Sequence, residues 1–181
     1  MCAMIQRSIG LENALLGFLN QNPQHGYQLH QRLSDLSGLG LVWRIKQSHL
    51  YAILDKFEKL KLVTSSFHDD VTYPPKKVFS LTEEGRCLYE TWVHTPVKRP
   101  HLMRQEFMAK LFFVMSDDLT SIQTLLECQR DECQKWLLIL EKDNQAENER
   151  RSFSTLVKSF RIGQVRAILV WLEKLMADSI E

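Results

Sequence analysis

The chain has 181 residues, of which 44% are hydrophobic and 25% are charged, and its formal net charge is +1. These proportions are ordinary for a globular protein and exclude long disordered segments. The near-zero net charge excludes a uniformly basic nucleic-acid-binding protein, although a local basic face is compatible with it. Because the chain holds only seven glycines and five prolines, a mainly helical fold is favoured.

The cysteines and the hydropathy pattern indicate where such a chain works. The four cysteines form no CxxC pair and no disulfide framework. Together with the lack of a signal-peptide pattern, this predicts a cytoplasmic protein in a reducing compartment. No apolar run approaches the roughly 18 residues that a membrane span requires. We therefore expect no membrane partner.

The first half of the chain predicts three helices followed by a β hairpin. Apolar periodicity predicts helices over residues 8–20, 25–36 and 46–60. Residues 62–67 and 77–81 then predict two strands joined by a loop. Thr82, as an N-cap, begins a fourth helix. This order predicts a winged helix-turn-helix domain with a two-stranded β wing over residues 1–93, in a mainly α protein.

The second half predicts only helices. Pro96 and Pro100 mark a boundary, and helices are predicted over residues 104–115, 119–140 and 154–180. Apolar positions in the last two helices step by three and four residues, as in coiled coils. Two such seams exceed what one short helical tail can bury on itself. Residues 94–181 are therefore predicted to form an α-helical dimerisation domain.

The predicted helix 46–60 is the main candidate for binding double-stranded DNA. Five basic residues against two acidic ones lie between Trp43 and Lys61. The start of this helix carries Lys, Gln, Ser and His, which can pair with base edges, and further tyrosine and lysine side chains could hold phosphates. The candidate residues are Lys46, Gln47, Ser48, His49, Tyr51 and Lys56, with Lys76 and Lys77 at the wing. Their alternative interpretation is an ordinary solvated face, which the order of the elements disfavours.

No pattern indicates catalysis, a cofactor or a metal. His25 and His30 lie five residues apart, which does not suit joint metal ligation on a helix, and no catalytic motif is present. We therefore predict that the chain is not an enzyme. Trp92 and Phe107, within an aromatic-rich set, could line a pocket for a flat apolar ligand. Simple core packing is the favoured interpretation of these aromatic residues.

Four segments resemble the PadR family of transcriptional regulators. The segment "LLGFLNQNPQHGYQLHQRL" (15–33) resembles the opening of these proteins, with their His-Gly-Tyr motif. The segment "QSHLYAILDKFEKLKLV" (47–63) resembles their recognition helix, and "VFSLTEEG" (78–85) resembles the end of their wing. The segment "RQEFMAKLFF" (104–113) is similar to the start of the helical tail in the longer subgroup.

The resemblance implies a homodimer held by its C-terminal helices. It further implies a repressor that binds an inverted-repeat operator and that a small, often aromatic, effector releases in some members. Tyr51 matches the family tyrosine that contacts the DNA backbone, and Tyr27, in the His-Gly-Tyr motif, is a further candidate DNA-binding residue. Lys61 stands where the family usually has the glycine that permits a left-handed helix end.

Two other classes of function are open. The near-neutral charge, with Val78 and Phe79 in place of the usual wing residues, is compatible with a protein-interaction module that has lost DNA binding. A ligand-sensing enzyme or carrier built around the aromatic residues is a third hypothesis, which no catalytic pattern supports.

Overall fold

A computed structural model describes residues 10–68, 76–116, 119–145 and 152–178. These residues form two compact units. The first holds the described residues up to His94 together with Arg104–Ser116, and the second holds Thr95–Met103 and the described residues from Leu119 onward. The boundary drawn from the sequence differs at residues 104–116, which belong with the first unit.

The first unit contains helices around a small antiparallel sheet. Its helices are α1 (Gly10–Gln21), α2 (Gly26–Ser34), α3 (Gln47–Lys59), α4 (Glu83–Val93) and α5 (Met108–Val114). Its strands are β1 (Gln24–His25), β2 (Val63–His68) and β3 (Lys76–Leu81), in the sheet order β1-β3-β2. The winged helix-turn-helix prediction is confirmed. The sheet differs in one respect, because the short strand β1 pairs Gln24 with Phe79 and adds a third strand.

The end of α3 is closed by a left-handed residue. Lys61 has a φ of 58°, and its backbone N–H donates to the carbonyl of Glu58. The N–H of Leu62 donates to the carbonyl of Phe57 at 2.9 Å. This pair of bonds is the Schellman pattern, with buried Leu62 and Phe57 at its two ends. Lys61 therefore adopts the conformation for which glycine is usual.

The start of α4 is fastened to the same turn. Thr82 Oγ1 accepts a hydrogen bond from the Gly85 N–H at 3.1 Å, as its prediction as an N-cap requires. The Thr82 backbone N–H donates to the carbonyl of Leu62 at 3.1 Å. A Cβ atom at Gly85 would lie only 2.1 Å from that carbonyl oxygen. Only glycine therefore fits where α4 crosses the turn.

An aromatic cluster explains why α5 belongs to the first unit. The buried ring of Phe113 makes edge contacts with Phe18 at 5.3 Å and Tyr89 at 5.7 Å between ring centroids. A Cβ atom at Gly17 would lie 2.6 Å from the same ring, so α1 and α5 approach closely there. Buried aromatic side chains of this size dominate the energetics of a small core. The core of the first unit is therefore incomplete without α5.

The second unit is built on two long helices, α6 (Leu119–Gln145) and α7 (Phe153–Asp178), which pack against each other. Each predicted seam is buried over most of its length. The most buried members are Leu126, Gln129, Cys133 and Trp136 in α6 and Ile162, Val165 and Leu172 in α7. One helical tail therefore buries most of both seams, contrary to the expectation from the sequence.

The opposite face of α7 is also apolar, and it is exposed. Its positions step by three and four residues like the buried seam, and Phe153 and Phe160 are 81% and 70% exposed. We call this set the outer row; it consists of Phe153, Leu156, Phe160, Gly163, Ala167 and Val170.

None of the helices in the described ranges is long and apolar enough to cross a membrane.

The left-handed residue gives a stability prediction. Replacing Lys61 with glycine removes the clash of Cβ with the backbone at positive φ, so Lys61→Gly should raise the free energy of unfolding by about 1 kcal/mol. Urea denaturation followed by circular dichroism measures this change. Lys59→Gly, at a helical residue two positions earlier, should lower the free energy of unfolding by about 0.5–1 kcal/mol. Destabilisation by both variants would contradict the assignment of strain to Lys61.

Candidate nucleic-acid interface

The start of α3 presents a row of exposed polar side chains. Lys46 is the N-cap residue, with extended backbone (φ −78°, ψ 143°) and no capping bond from its own side chain. Its carbonyl accepts the backbone N–H groups of His49 and Leu50. The first turn of α3 holds no acidic residue, so the positive end of the helix dipole is not neutralised there. The exposed residues are Lys46, Gln47, Ser48 and His49.

The segment that leads into α3 is held by α2. His30 Nε2 lies 3.1 Å from the carbonyl oxygen of Ile45, directly before the N-cap. At the end of α2, the Asp35 carboxylate accepts hydrogen bonds from the N–H and the hydroxyl of Ser37. These bonds lower the pKa of the Asp35 carboxyl. The segment between α2 and α3 is thus held by hydrogen bonds at both of its ends.

Tyr51 packs on a residue with no side chain. A Cβ atom at Gly26 would lie 2.6 Å from Tyr51 Cε1 and 2.9 Å from its hydroxyl oxygen. Gly26 therefore provides the space in which the Tyr51 ring lies between α2 and α3, while the residue remains partly exposed. Tyr27 is exposed, and its hydroxyl accepts a hydrogen bond from Gln31. The sequence motif contains Gly26, but no pattern in it shows the contact with Tyr51.

Lys56 is not free for phosphate binding in this structure. Its ammonium group forms an ion pair with Glu12 of α1, with Nζ–O distances of 3.0 and 2.8 Å. The Glu12 side chain is largely buried. The pair joins α1 to α3, and loss of Lys56 would leave the buried Glu12 carboxylate unpaired at a cost in folding free energy. Lys56 therefore has a structural partner where the sequence predicted a phosphate contact.

Lys77 is also paired. Its Nζ lies 2.7 Å from Oε2 of Glu58, a residue of α3. The same Nζ lies 5.0 Å from the centre of the Phe79 ring. The strand β3 that carries it begins at Lys76, whose side chain lies outside the described residues. Asp69 and Asp70 also lie outside the described residues. The structure thus brings one wing lysine to α3 itself.

The two candidate ligand residues lie in the core of the first unit. Phe107 is fully buried, and Trp92 is nearly so. Trp92 Nε1 donates to Glu106 Oε1 at 2.9 Å, and Lys110 Nζ donates to the Trp92 carbonyl at 2.7 Å. The Lys110 ammonium also lies 4.9 Å from the centre of the Trp92 ring. This dense packing favours the core interpretation of both aromatic residues over that of an open pocket.

The remaining candidates for chemistry are metal ligands and cysteine thiols. No group of three or more His, Cys, Asp or Glu within the described ranges could hold a metal ion. Cys133 is buried, and its burial raises the pKa of the thiol to about 11, which disfavours the reactive thiolate. Cys128, five residues earlier in α6, is exposed.

Comparisons of the sequence with known proteins found similar regulators. Residues 15–91 match the Transcriptional regulator PadR-like family. The chain is 26% identical over 178 residues to the Negative transcriptional regulator PadR of Bacillus subtilis (strain 168), an alignment that covers 92% of this chain and 96% of that protein.

Solved structures are also similar to this chain. The crystal structure of Bacillus subtilis PadR in complex with operator DNA matches 93% of this chain and 98% of that one, with a TM-score of 0.47 and 24% identity. The crystal structure of a PadR-like transcriptional regulator from Bacillus cereus matches 98% and 99%, with a TM-score of 0.45 and 17% identity.

The helix order, the wing and the exposed start of α3 define a winged helix-turn-helix domain. The match over residues 15–91 covers α2, α3 and the wing, the elements that carry these features. Over these residues the chain is similar to the PadR-like family of transcriptional regulators.

The contact between Gly26 and Tyr51 gives the second prediction. Gly26→Ala should lower the free energy of unfolding by about 1–3 kcal/mol, because the new methyl group overlaps the Tyr51 ring. Thermal and urea unfolding measure the change. In the double variant Gly26→Ala/Tyr51→Ala the overlap is gone, so the cost of the glycine substitution should largely vanish. Simple additivity of the two single changes would show that the ring does not depend on Gly26.

Proposed function

We propose that the protein is a cytoplasmic repressor that binds an inverted-repeat site on double-stranded DNA as a homodimer. The observation that carries this proposal is the exposed polar row at the start of α3, which α2 and the wing hold in place. Helix-turn-helix proteins insert this end of the recognition helix into the major groove. The repressor role rests on the name of the Bacillus subtilis relative, a negative regulator.

The side chains of the row suit two kinds of contact. Gln47 can form two hydrogen bonds with adenine, and Lys46 can donate to guanine or to a phosphate. Tyr51, on the next turn of α3, carries a hydroxyl that can donate to the sugar-phosphate backbone. The paired Lys56 and Lys77 supply no phosphate contact in this mode of binding. The interface therefore depends on few charges, in keeping with the near-zero net charge.

A second copy of the chain would account for the outer row of α7. A regularly spaced apolar row is the sequence signature of a helix that packs on another helix. The central Gly163 has no atom within 4 Å of an added Cβ, so it leaves room for close approach of a partner helix. Pairing of two outer rows about a two-fold axis gives the symmetric dimer that an inverted repeat requires.

Release by a small aromatic effector is implied only by the family resemblance. Such a ligand would have to open the packed cluster around Trp92 and Phe107, where both side chains are already buried. The proposed DNA binding and dimerisation need no effector.

DNA binding is tested with a labelled duplex taken from the sequence directly upstream of the protein's own gene. Lys46→Ala should weaken binding roughly tenfold and reduce the slope of log affinity against log salt by about one, as expected for loss of one phosphate contact. Fluorescence anisotropy at several salt concentrations measures both quantities. Lys142→Ala, in the last turn of α6, is the matched control and should bind as the unmodified protein does. If the unmodified protein does not bind the duplex at low salt, the proposal fails and an interaction module becomes the better hypothesis.

Dimerisation is tested on the outer row. Phe160→Glu places a charge in the row and should convert the dimer to a monomer without unfolding it, because Phe160 is exposed in the single chain. Size-exclusion chromatography with light scattering gives the mass. Arg161→Glu introduces the same residue at the next, exposed position of α7, outside the row, and should stay dimeric. A monomeric unmodified protein, or a dimeric Phe160→Glu variant, would contradict this interface.

A further inference from the structure

The carboxylate of Glu58 joins the recognition helix to both strands of the wing. Glu58 lies near the end of α3, and its Oε1 accepts a hydrogen bond from Ser65 Oγ in β2 at 2.5 Å. Its Oε2 accepts one from Lys77 Nζ in β3 at 2.7 Å. In the sheet, Ser65 is paired with Phe79 and Lys77 with Phe67, so the two donors come from adjacent strands. One side chain of α3 thus fixes the wing at two points.

The environment of Lys77 holds its side chain on the protein. The ammonium lies over the ring of buried Phe79, two residues along the same strand, which adds a cation–π attraction. The Lys77 carbonyl oxygen lies 3.2 Å from His25 Nδ1, so its backbone also touches the start of α2. The Lys77 side chain is only 35% exposed. An extension toward a phosphate would break the ion pair and the ring contact together.

The charge state of Glu58 agrees with this arrangement. Partial burial alone would raise the pKa of the Glu58 carboxyl. The hydrogen bonds from Lys77 and Ser65 and the positive charge of Lys77 outweigh this effect and lower the pKa below its ordinary value. Glu58 is therefore ionised at neutral pH, when it accepts both bonds.

We propose that Glu58 is a positioning residue that sets the wing against the recognition helix, and that Lys77 serves as its counter-ion and not as a phosphate contact. The inference rests on the proposed DNA binding and assigns a role within it. Ion pairs that are partly exposed contribute little to overall stability. Loss of this one should therefore displace the wing and weaken DNA binding without unfolding the first unit.

The two roles of Lys77 predict opposite effects of one substitution. Glu58→Gln removes the counter-charge and frees the Lys77 ammonium. We call the ion pair of Glu58 and Lys77, which fixes the wing to α3, the brace. If Lys77 acts in this brace, Glu58→Gln should weaken binding to the upstream duplex at least fivefold. Lys77→Met should weaken binding equally, with an unchanged salt slope. If Lys77 instead contacts a phosphate, Glu58→Gln should bind equally or more tightly, and Lys77→Met should reduce the salt slope by about one. The second pattern would overturn the proposal.

Two further variants separate the brace from a general effect of charge. Glu84→Gln, at an exposed residue in the first turn of α4, removes one negative charge elsewhere in the first unit and should bind as the unmodified protein does. The exchange Glu58→Lys/Lys77→Glu restores opposite charges and should recover part of the affinity that either single change loses. An exchange variant that binds no better than the worse single variant would count against a direct interaction.

A measurement without DNA keeps this inference distinct from the proposed function. Hydrogen exchange of the β2 and β3 amides in the full-length protein should be faster in Glu58→Gln than in Glu84→Gln, with similar melting temperatures. If the unmodified protein fails to bind the duplex, the proposed function fails while the exchange measurement still decides whether the brace exists. Equal exchange rates in the two variants would overturn the brace itself.

Discussion

The carbonyl group of Leu62 lies at the joint on which the first unit depends. It accepts the N–H and the hydroxyl of Thr82, and the α4 backbone passes so close to it that Gly85 can carry no side chain. The Leu62 N–H closes the end of α3 at the same point. Because β2 begins with the next residue, the recognition helix, the wing and α4 all meet within a few residues. Their mutual positions are consequently set by backbone geometry.

Side chains add a second level of positioning at the recognition helix. Gly26 provides the space for the Tyr51 ring, Glu12 pairs with Lys56, and Glu58 reaches both wing strands. Each contact joins α3 to a different neighbour, while the polar residues from Lys46 to His49 at the start of the helix stay exposed. Of the basic residues between Trp43 and Lys61, Lys56 is paired with α1, while Lys46 remains exposed at the candidate interface.

The sequence predicted most elements of the fold because their signals are local. The apolar spacing of α3 and the hydroxyl of Thr82 each act within a few residues of the chain. The strand β1 has only two residues, too few for any periodicity, and it exists because His25 and Gln24 meet β3. The predicted seams are real, but whether they face a second copy or each other depends on where α6 and α7 lie in space, which spacing alone does not determine.

The candidate site was predicted less completely for the same reason. The exposed residues from Lys46 to His49 follow from the amphipathic pattern of one helix, so the sequence identifies them directly. The partners of Lys56 and Lys77 are 44 and 19 residues away, and a lysine with a distant partner has the same sequence signature as a free one. Aromatic residues are similarly ambiguous, since Trp92 and Phe107 would have the same spacing in a pocket or in a core.

The two apolar faces of α7 have a consequence for how the chain reaches its working state. A newly made single chain can bury the inner face on α6 but leaves two phenylalanines of the outer row in water. Surfaces of this kind favour self-association, including the unspecific kind that precedes precipitation. For a homodimer, the unfolding midpoint would rise with protein concentration, since mass action adds to the stability of each chain. The amount of regulator in a cell would then govern its lifetime as well as its occupancy of DNA.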